Sequence, residues 1–314
     1  MDTARSPAEA SVFSRKLAAL IIIVYTVVTL IPVTWILITG FKSVDKAISY
    51  PPEVFFKPSL EGYVNVFTQR TRQTKEYLES LPPPKTWYEK LVRSREMVIA
   101  GPSKYFGRFM NSLIIGFGAT FLSVFLGTLA AYAFSRFKVP LKEDLMFFIL
   151  STRMFPPIAV AVPIFIMYRK IGLGDTHLGM IILYTVVNLS LAVWLLKGFI
   201  DEIPREYEEA AMIDGYTRFA AFYKIVLPQA TTGIAATAIF CMIFSWNEYA
   251  FAVLLTQFNA QTAPPFIPTI IGEGGQDWSA IGAGTTLFLI PVMIFTVVLR
   301  KHLLRGITFG AVRK

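Results

Sequence analysis

Residues 203–228 read Ile-Pro-Arg-Glu-Tyr-Glu-Glu-Ala-Ala-Met-Ile-Asp-Gly-Tyr-Thr-Arg-Phe-Ala-Ala-Phe-Tyr-Lys-Ile-Val-Leu-Pro, a polar island between two long apolar runs. Pro204 suits a first helical position, where its missing N–H costs nothing, and Glu206, Glu208 and Glu209 favour the positive end of the helix dipole. A helix is therefore expected to start near Pro204. Asp214-Gly215 reads as its stop, because glycine takes the left-handed conformation that closes a helix C-terminus. Thr217 is placed to N-cap a second short helix, which Pro228 ends. The unit has an acidic start, small residues at Ala210 and Ala211, and an aromatic second half carrying Phe219, Phe222 and Tyr223. Such a unit suits a groove on another protein. The plainer alternative is an ordinary amphipathic loop.

The flanking runs decide the class. The chain has 314 residues, 54% of them hydrophobic, with a mean hydropathy of +0.54, too apolar for a typical soluble domain. Six stretches reach the roughly 20 apolar residues that a hydrocarbon core demands: 17–39, 111–134, 145–168, 178–196, 231–255 and 280–299. Only helices or closed barrels satisfy the backbone in lipid, so the expected fold is an all-α membrane protein with six transmembrane helices. The first stretch follows Arg5, Arg15 and Lys16 as a secretory signal would. It is longer than a signal's apolar core and no Ala-x-Ala site follows, so it is expected to persist as the first span.

The formal net charge of +9 raises nucleic-acid binding, and its distribution removes that reading. With the N-terminus inside, Lys and Arg number 3 in residues 1–16, 3 in 135–144, 4 in 197–230 and 5 in 300–314, all on the inner side. The short outer segments hold Arg169 and Lys170, and none in 257–281. The positive-inside rule therefore puts both termini in the cytoplasm.

The spacing Glu209-Ala210-Ala211, three residues, Gly215, nine residues, then Ile225-x-Leu227-Pro228 resembles the coupling loop of binding-protein-dependent ATP-binding-cassette (ABC) importer permeases. Ala131-Tyr132-Ala133-Phe134-Ser135-Arg136 is similar to the end of that family's second core helix, and Trp246-Asn247-Glu248 to an element of its fifth. Arg305-Gly306-Ile307-Thr308 with Gly310-Ala311-Val312-Arg313-Lys314 resembles the maltose-type tail. Together these identify a carbohydrate-type, maltose-transporter-like permease of the type I importer fold. The layout implied is a cytoplasmic N-terminus (1–16), a first helix (17–39), a periplasmic segment (40–108), a five-helix core (109–303) with the coupling loop (203–228), and a cytoplasmic tail (304–314).

The resemblance also implies partners: a cytoplasmic ABC ATPase dimer, a second and different permease chain, a periplasmic solute-binding protein, and the lipid of a bacterial inner membrane crossed several times. In the loop, Glu209 would meet a basic residue of the ATPase, Ala210 and Ala211 allow close seating, Gly215 fixes the turn, and Leu227-Pro228 completes the element. The tail is implied to reach the ATPase dimer interface.

Residues 68–104 depart from the family's pattern. This insertion holds two polar, helical-looking pieces, 71–81 and 86–99, around Pro82-Pro83-Pro84, with 8 Lys/Arg against 4 Glu. It reads either as a platform for the binding protein or companion permease, or as a solvated decoration.

Polar residues inside spans mark functional hypotheses, because they are expensive there. Arg153, near Pro156, Pro157 and Pro163, either faces the translocation cavity, pairs with Glu248, or snorkels to an interface. Asn188 either lines the path or bonds between helices. Asn247 and Glu248 belong near the bundle interior or external mouth, with Glu248 gating the cavity or serving as a structural acceptor. Gly116, Gly118, Gly127, Ala130 and Ala131 are packing positions, since small residues let membrane helices approach closely.

The inventory offers no catalytic set. His177 and His302 lie far apart, one cysteine excludes an intrachain disulfide, and no Gly-x-x-x-x-Gly-Lys-Ser/Thr loop is present. No cofactor or metal is expected. An ion-coupled secondary transporter would want several buried carboxylates and inverted repeats, neither of which is evident. The sugar, polyol or derivative carried is not readable from the spans.

Overall fold

The computed structural model describes residues 12–272 and 275–307, with no side-chain description at Val12 or for 300–307. In chain order the elements are α1 (Val12–Thr39), α2 (Val44–Ala47), α3 (Glu61–Phe67), β1 (Thr68–Arg72), α4 (Lys75–Ser80), α5 (Trp87–Arg93), β2 (Met97–Pro102), α6 (Tyr105–Arg136) and α7 (Lys142–Ser151). There follow α8 (Pro157–Lys170), α9 (His177–Asp201), α10 (Glu206–Ile213), α11 (Arg218–Ala221), α12 (Leu227–Gln229), α13 (Thr231–Asn247), α14 (Ala250–Leu255) and α15 (Ala263–Phe266). Strands β3 (Ile271–Gly272) and β4 (Gly275–Gln276) precede α16 (Trp278–Ile307).

Among the described residues, four helices are long and apolar enough to cross a membrane: Phe13–Thr39, Tyr105–Arg136, His177–Asp201 and Trp278–Leu299. Two bent pairs raise the number to six if each is one span: Lys142–Met154 with Pro157–Lys170, bent by 93°, and Arg218–Gln229 with Thr231–Asn247, bent by 72°. The fold is thus an all-α, multi-spanning membrane fold with four to six candidate spans. The stretch 145–168, expected as one helix, is broken because Phe155 precedes Pro156-Pro157 and is driven to an extended backbone, with ψ 127°. The stretch 231–255 breaks at Glu248, whose ψ of 124° ends α13 before α14 begins.

Two compact units are distinguishable, one of residues up to Pro102 with 270–287, the other of 103–269 with 288 onward. In the second, α6, α9 and α13 pack together. A Cβ added at Gly127 would lie 2.7 Å from the Ala192 Cβ, and one at Gly118 would lie 3.0 Å from Ile181, so small residues set the α6–α9 approach. Asn188 on α9 donates to the Ser245 hydroxyl of α13 at 2.7 Å.

In the first unit, α1 is exposed from Phe13 to Trp35, as a helix surrounded by acyl chains would be. Beyond it the backbone of Gly40 approaches Gly282 and Ala283, and that of Gly62 approaches Ser279, too closely for any side chain. The insertion is not two helices alone. Its helical pieces shrink to α4 and α5, framed by antiparallel strands β1 and β2 with an irregularity between Gln69 and Arg70. Buried charges hold it in place. Arg70 reaches Asp277 at 3.1 Å, and Arg95 clasps Glu61 through Nε at 2.9 Å and an η-nitrogen at 3.1 Å. Asp277 also accepts from Asn65 at 2.8 Å and caps α16 through the Ala280 N–H at 3.0 Å.

Candidate functional site

The stretch 203–228 folds into α10, a glycine turn, and a second helical stretch. The first helix starts at Glu206, two residues later than expected, with Arg205 as its cap. Its end is a Schellman closure. Gly215 has φ +92°, its N–H reaches the Met212 carbonyl at 3.1 Å, and the Tyr216 N–H reaches that of Ala211 at 3.0 Å. Thr217 caps the next helix, accepting from the Ala220 N–H at 3.2 Å. The second helix ends at Gln229, one residue past Pro228. The chain passes through a π turn at Phe222–Val226, Pro228 sits within α12, and the bend follows at Ala230.

Of the residues singled out, Glu209, Ala210, Gly215 and Pro228 are exposed, Leu227 is half-buried and Ala211 is buried within the chain itself. Ile213, Phe219 and Tyr223 are also exposed, at 87%, 74% and 62%, a concentration of apolar surface on a polar segment that marks an interaction site. The anchoring acid is Glu208. It accepts from the Tyr132 hydroxyl at 2.8 Å and from Arg136 Nε, and both ion-pair side chains are buried. Arg136 also donates to the Ile203 carbonyl at 2.8 Å, and Arg205 to that of Ser135 at 2.6 Å. The end of α6 thereby holds the first helix of the unit at both its entrance and its middle.

Arg153 and Glu248 do not pair. The Arg153 guanidinium lies over the Phe244 ring, 4.1 Å from its centroid, and one η-nitrogen is buried without a partner. Glu248 accepts from the Tyr184 hydroxyl at 2.6 Å and from the N–H groups of Phe251 and Ala252 at 2.9 and 3.1 Å. Its carboxylate therefore caps α14 at the break after α13, which explains an acid at that depth without a basic partner. Asn247 is exposed and donates to the Ile243 carbonyl at 2.8 Å. Asn188 is 1% exposed, and its oxygen has no partner.

Sequence reasoning missed Asp175, in the turn between α8 and α9. With φ +53°, it accepts from four successive N–H groups, Gln257 to Ala260, at 3.0–3.1 Å. The same loop is fixed by Asn111, which donates to the carbonyls of Asn259 and Gln261 at 2.7 and 2.9 Å. The Asn111 oxygen then accepts from His177 Nε2 at 2.7 Å, which makes Nε2 the protonated nitrogen. Burial pushes the Asp175 carboxyl up, but its four backbone donors outweigh that and hold it below the usual range. A depressed folded value gives stability that is present above the ordinary carboxylate pKa and lost as pH falls through the folded value. Asp175→Asn is expected to lower stability at neutral pH by about 1–3 kcal/mol and to flatten the acid limb of a melting-temperature profile. An unchanged acid limb would show that the clamp contributes nothing.

Residues 123–309, more than half of the chain, match the family described as binding-protein-dependent transport system inner membrane component. The chain belongs to this family. It is 30% identical to the probable ABC transporter permease protein y4oR of Sinorhizobium fredii, over 91% of each chain. It is 38% identical to the trehalose transport system permease protein SugB of Mycobacterium tuberculosis, over 65% of this chain and 76% of that one. Among solved structures, a bacterial ABC transporter that imports the acidic polysaccharide alginate shares the fold, with TM-score 0.66 and 19% identity over 94% of this chain and 99% of that one. The protein is a permease subunit of an ABC importer, located in the inner membrane. No cluster of three or more His, Cys, Asp or Glu side chains suited to a metal occurs among the described residues.

Proposed function

We propose that this permease forms half of the translocation path of an ATP-driven, binding-protein-dependent importer of a sugar, polyol or sugar derivative, and that 203–228 couples it to a separate ATPase. The observation that carries the coupling assignment is the anchored unit itself. One side is fastened to α6 through buried Glu208 and Arg136, and the other presents Glu209, Ala210, Ile213 and Phe219 to solvent. A force applied to the exposed side passes to α6 through the buried pair rather than dissipating in a loop. The carbohydrate class is supported by the trehalose permease among the relatives.

The topology that fits is six spans, with each bent pair counted as one, both termini cytoplasmic, and 40–108 periplasmic. Of the implied tail, residues 308–314 lie outside the described residues. Arg153, Asn188, Asn247 and Glu248 are proposed for the translocation path. Asn188 and Arg153 each carry a buried polar atom with no protein partner, as groups that meet water or a hydroxylated substrate would.

Purifying the tagged chain gently from its own membrane and identifying its companions by mass spectrometry tests this reading. An ATPase subunit, a second permease and a solute-binding protein are expected; recovery of the chain alone, even after mild cross-linking, overturns it. Gly215→Val gives a finer test. A Cβ there meets nothing within 4 Å, so the cost is the left-handed backbone alone, about 1–2 kcal/mol. The variant is expected to insert in the membrane yet lose the ATPase or ATP-driven uptake, and normal uptake would contradict the coupling role.

A further inference from the structure

The first unit carries a groove of ≈ 670 Å³ walled by Leu60, Tyr63, Phe67, Trp87, Tyr88 and Ile99. Trp87 and Phe67 remain 60% and 44% exposed, so the walls are a large aromatic surface left open. Two of its hydroxyls are already engaged. The Thr68 hydroxyl donates to the Val64 carbonyl at 2.7 Å, and the Tyr63 hydroxyl bonds with Thr286. A sugar needs polar partners around its ring hydroxyls, and this groove offers few of them. Its chemistry suits a hydrocarbon chain.

The place of the groove says where such a chain would come from. The Tyr63 ring lies tilted against Phe41, two residues beyond the end of α1, with centroids 5.0 Å apart, and its hydroxyl bonds Thr286 within α16. Both helices are membrane-long, and the groove lies beside the last residues of one and the first turns of the other, where hydrocarbon is expected to give way to headgroups. Trp and Tyr concentrate at that depth. A second, adjoining hollow of ≈ 420 Å³ shares Leu60 and Trp87 and adds Lys90 to the lining; of the 8 Lys/Arg in 68–104, Arg70, Arg72, Lys75 and Arg95 are engaged in ion pairs, and Lys90 is the cation that lines this hollow. Positive charge beside an apolar groove complements a phosphate joined to acyl chains.

We propose that this groove seats a membrane phospholipid, its acyl chain along Tyr63, Phe67, Trp87 and Tyr88 and its phosphate at Lys90, so that the insertion is a foot resting on the bilayer. The proposed function enters only in assigning the leaflet, the periplasmic one; lipid occupancy is tested without the ATPase or a transported sugar. The full chain, with any companions that copurify, is placed in nanodiscs of phosphatidylcholine and phosphatidylglycerol, with or without bromine at positions 6 and 7 of the acyl chains. Subtracting the Trp87→Phe emission from that of the unsubstituted chain isolates Trp87. Brominated lipid is expected to quench that component twofold or more and aqueous acrylamide to quench it weakly. Lys90→Glu is expected to lower the phosphatidylglycerol retained in native mass spectrometry at least twofold. A Trp87 component untouched by bromine and open to acrylamide overturns the proposal. Protection from acrylamide only on adding a solute-binding protein overturns it too, and makes a protein the occupant.

Discussion

Glu208→Ala is expected to cost about 3–5 kcal/mol and to loosen the 203–228 unit from α6, because it leaves the buried Arg136 guanidinium without its carboxylate. The Tyr132 hydroxyl loses its acceptor in the same step. Exposed Glu209 makes the contrast: Glu209→Ala is expected to stay within about 0.5 kcal/mol of the parent in stability while weakening ATPase retention. Thermal unfolding in one lipid mixture, alongside copurification of the ATPase, separates the two acids. The double substitution Arg136→Met with Glu208→Leu should recover most of the lost stability, since an apolar pair of similar volume removes the unpaired charge. A Glu208→Ala protein within 1 kcal/mol of the parent would mean that the Glu208–Arg136 bridge is not what fastens the unit.

That Glu208 anchors the unit, beside the exposed Glu209 that the sequence singled out, shows what kind of information was missing. Gly215 and Thr217 were legible because left-handed closure and N-capping are decided within four residues. Which of two adjacent acids faces inward depends on the side from which α6 approaches, and a single helix does not encode that. Pro228 marked the end of the second helix to within one residue, while the 72° bend that follows at Ala230 depends on the direction of the next span. Asp175 carries no signal in the sequence, because its four donors lie 82 to 85 positions further along the chain. Strand β1 escaped because Thr-Gln-Arg-Thr-Arg has no apolar alternation. Its partner β2 and the Arg70–Asp277 pair make it a strand, and neither is local. The six apolar runs were visible by composition, whereas the breaks at Pro156-Pro157 and Glu248 depended on reading prolines as a sharp turn and an acid as a cap.

Gly127→Leu is expected to have the largest effect within the helical core. A Cβ at Gly127 would sit 2.7 Å from the Ala192 Cβ and 3.3 Å from the Ala192 carbonyl carbon, so backbone as well as side chain stands in the way. No rotamer relieves that contact, and α6 and α9 must part along a seam that also holds Gly118 against Ile181. Overpacking a close-packed interior costs about 1–3 kcal/mol where neighbours can yield, and here they cannot, so the loss should reach or exceed the upper end. Gly198, on the same α9, meets nothing within 4 Å. Gly198→Ala is therefore expected to stabilise by about 0.5–1 kcal/mol through the better helix former alone. Opposite shifts in melting temperature for these two variants would show that helix separation is limited at Gly127 itself. If both fell together, glycine would be serving flexibility along the α6–α9 pair rather than close approach. Parting the pair would also displace Tyr132 and Arg136, about one and a half and two and a half turns further along α6, from Glu208. Gly127→Leu should accordingly weaken ATPase retention as Glu208→Ala does, though it touches no residue of the exposed surface.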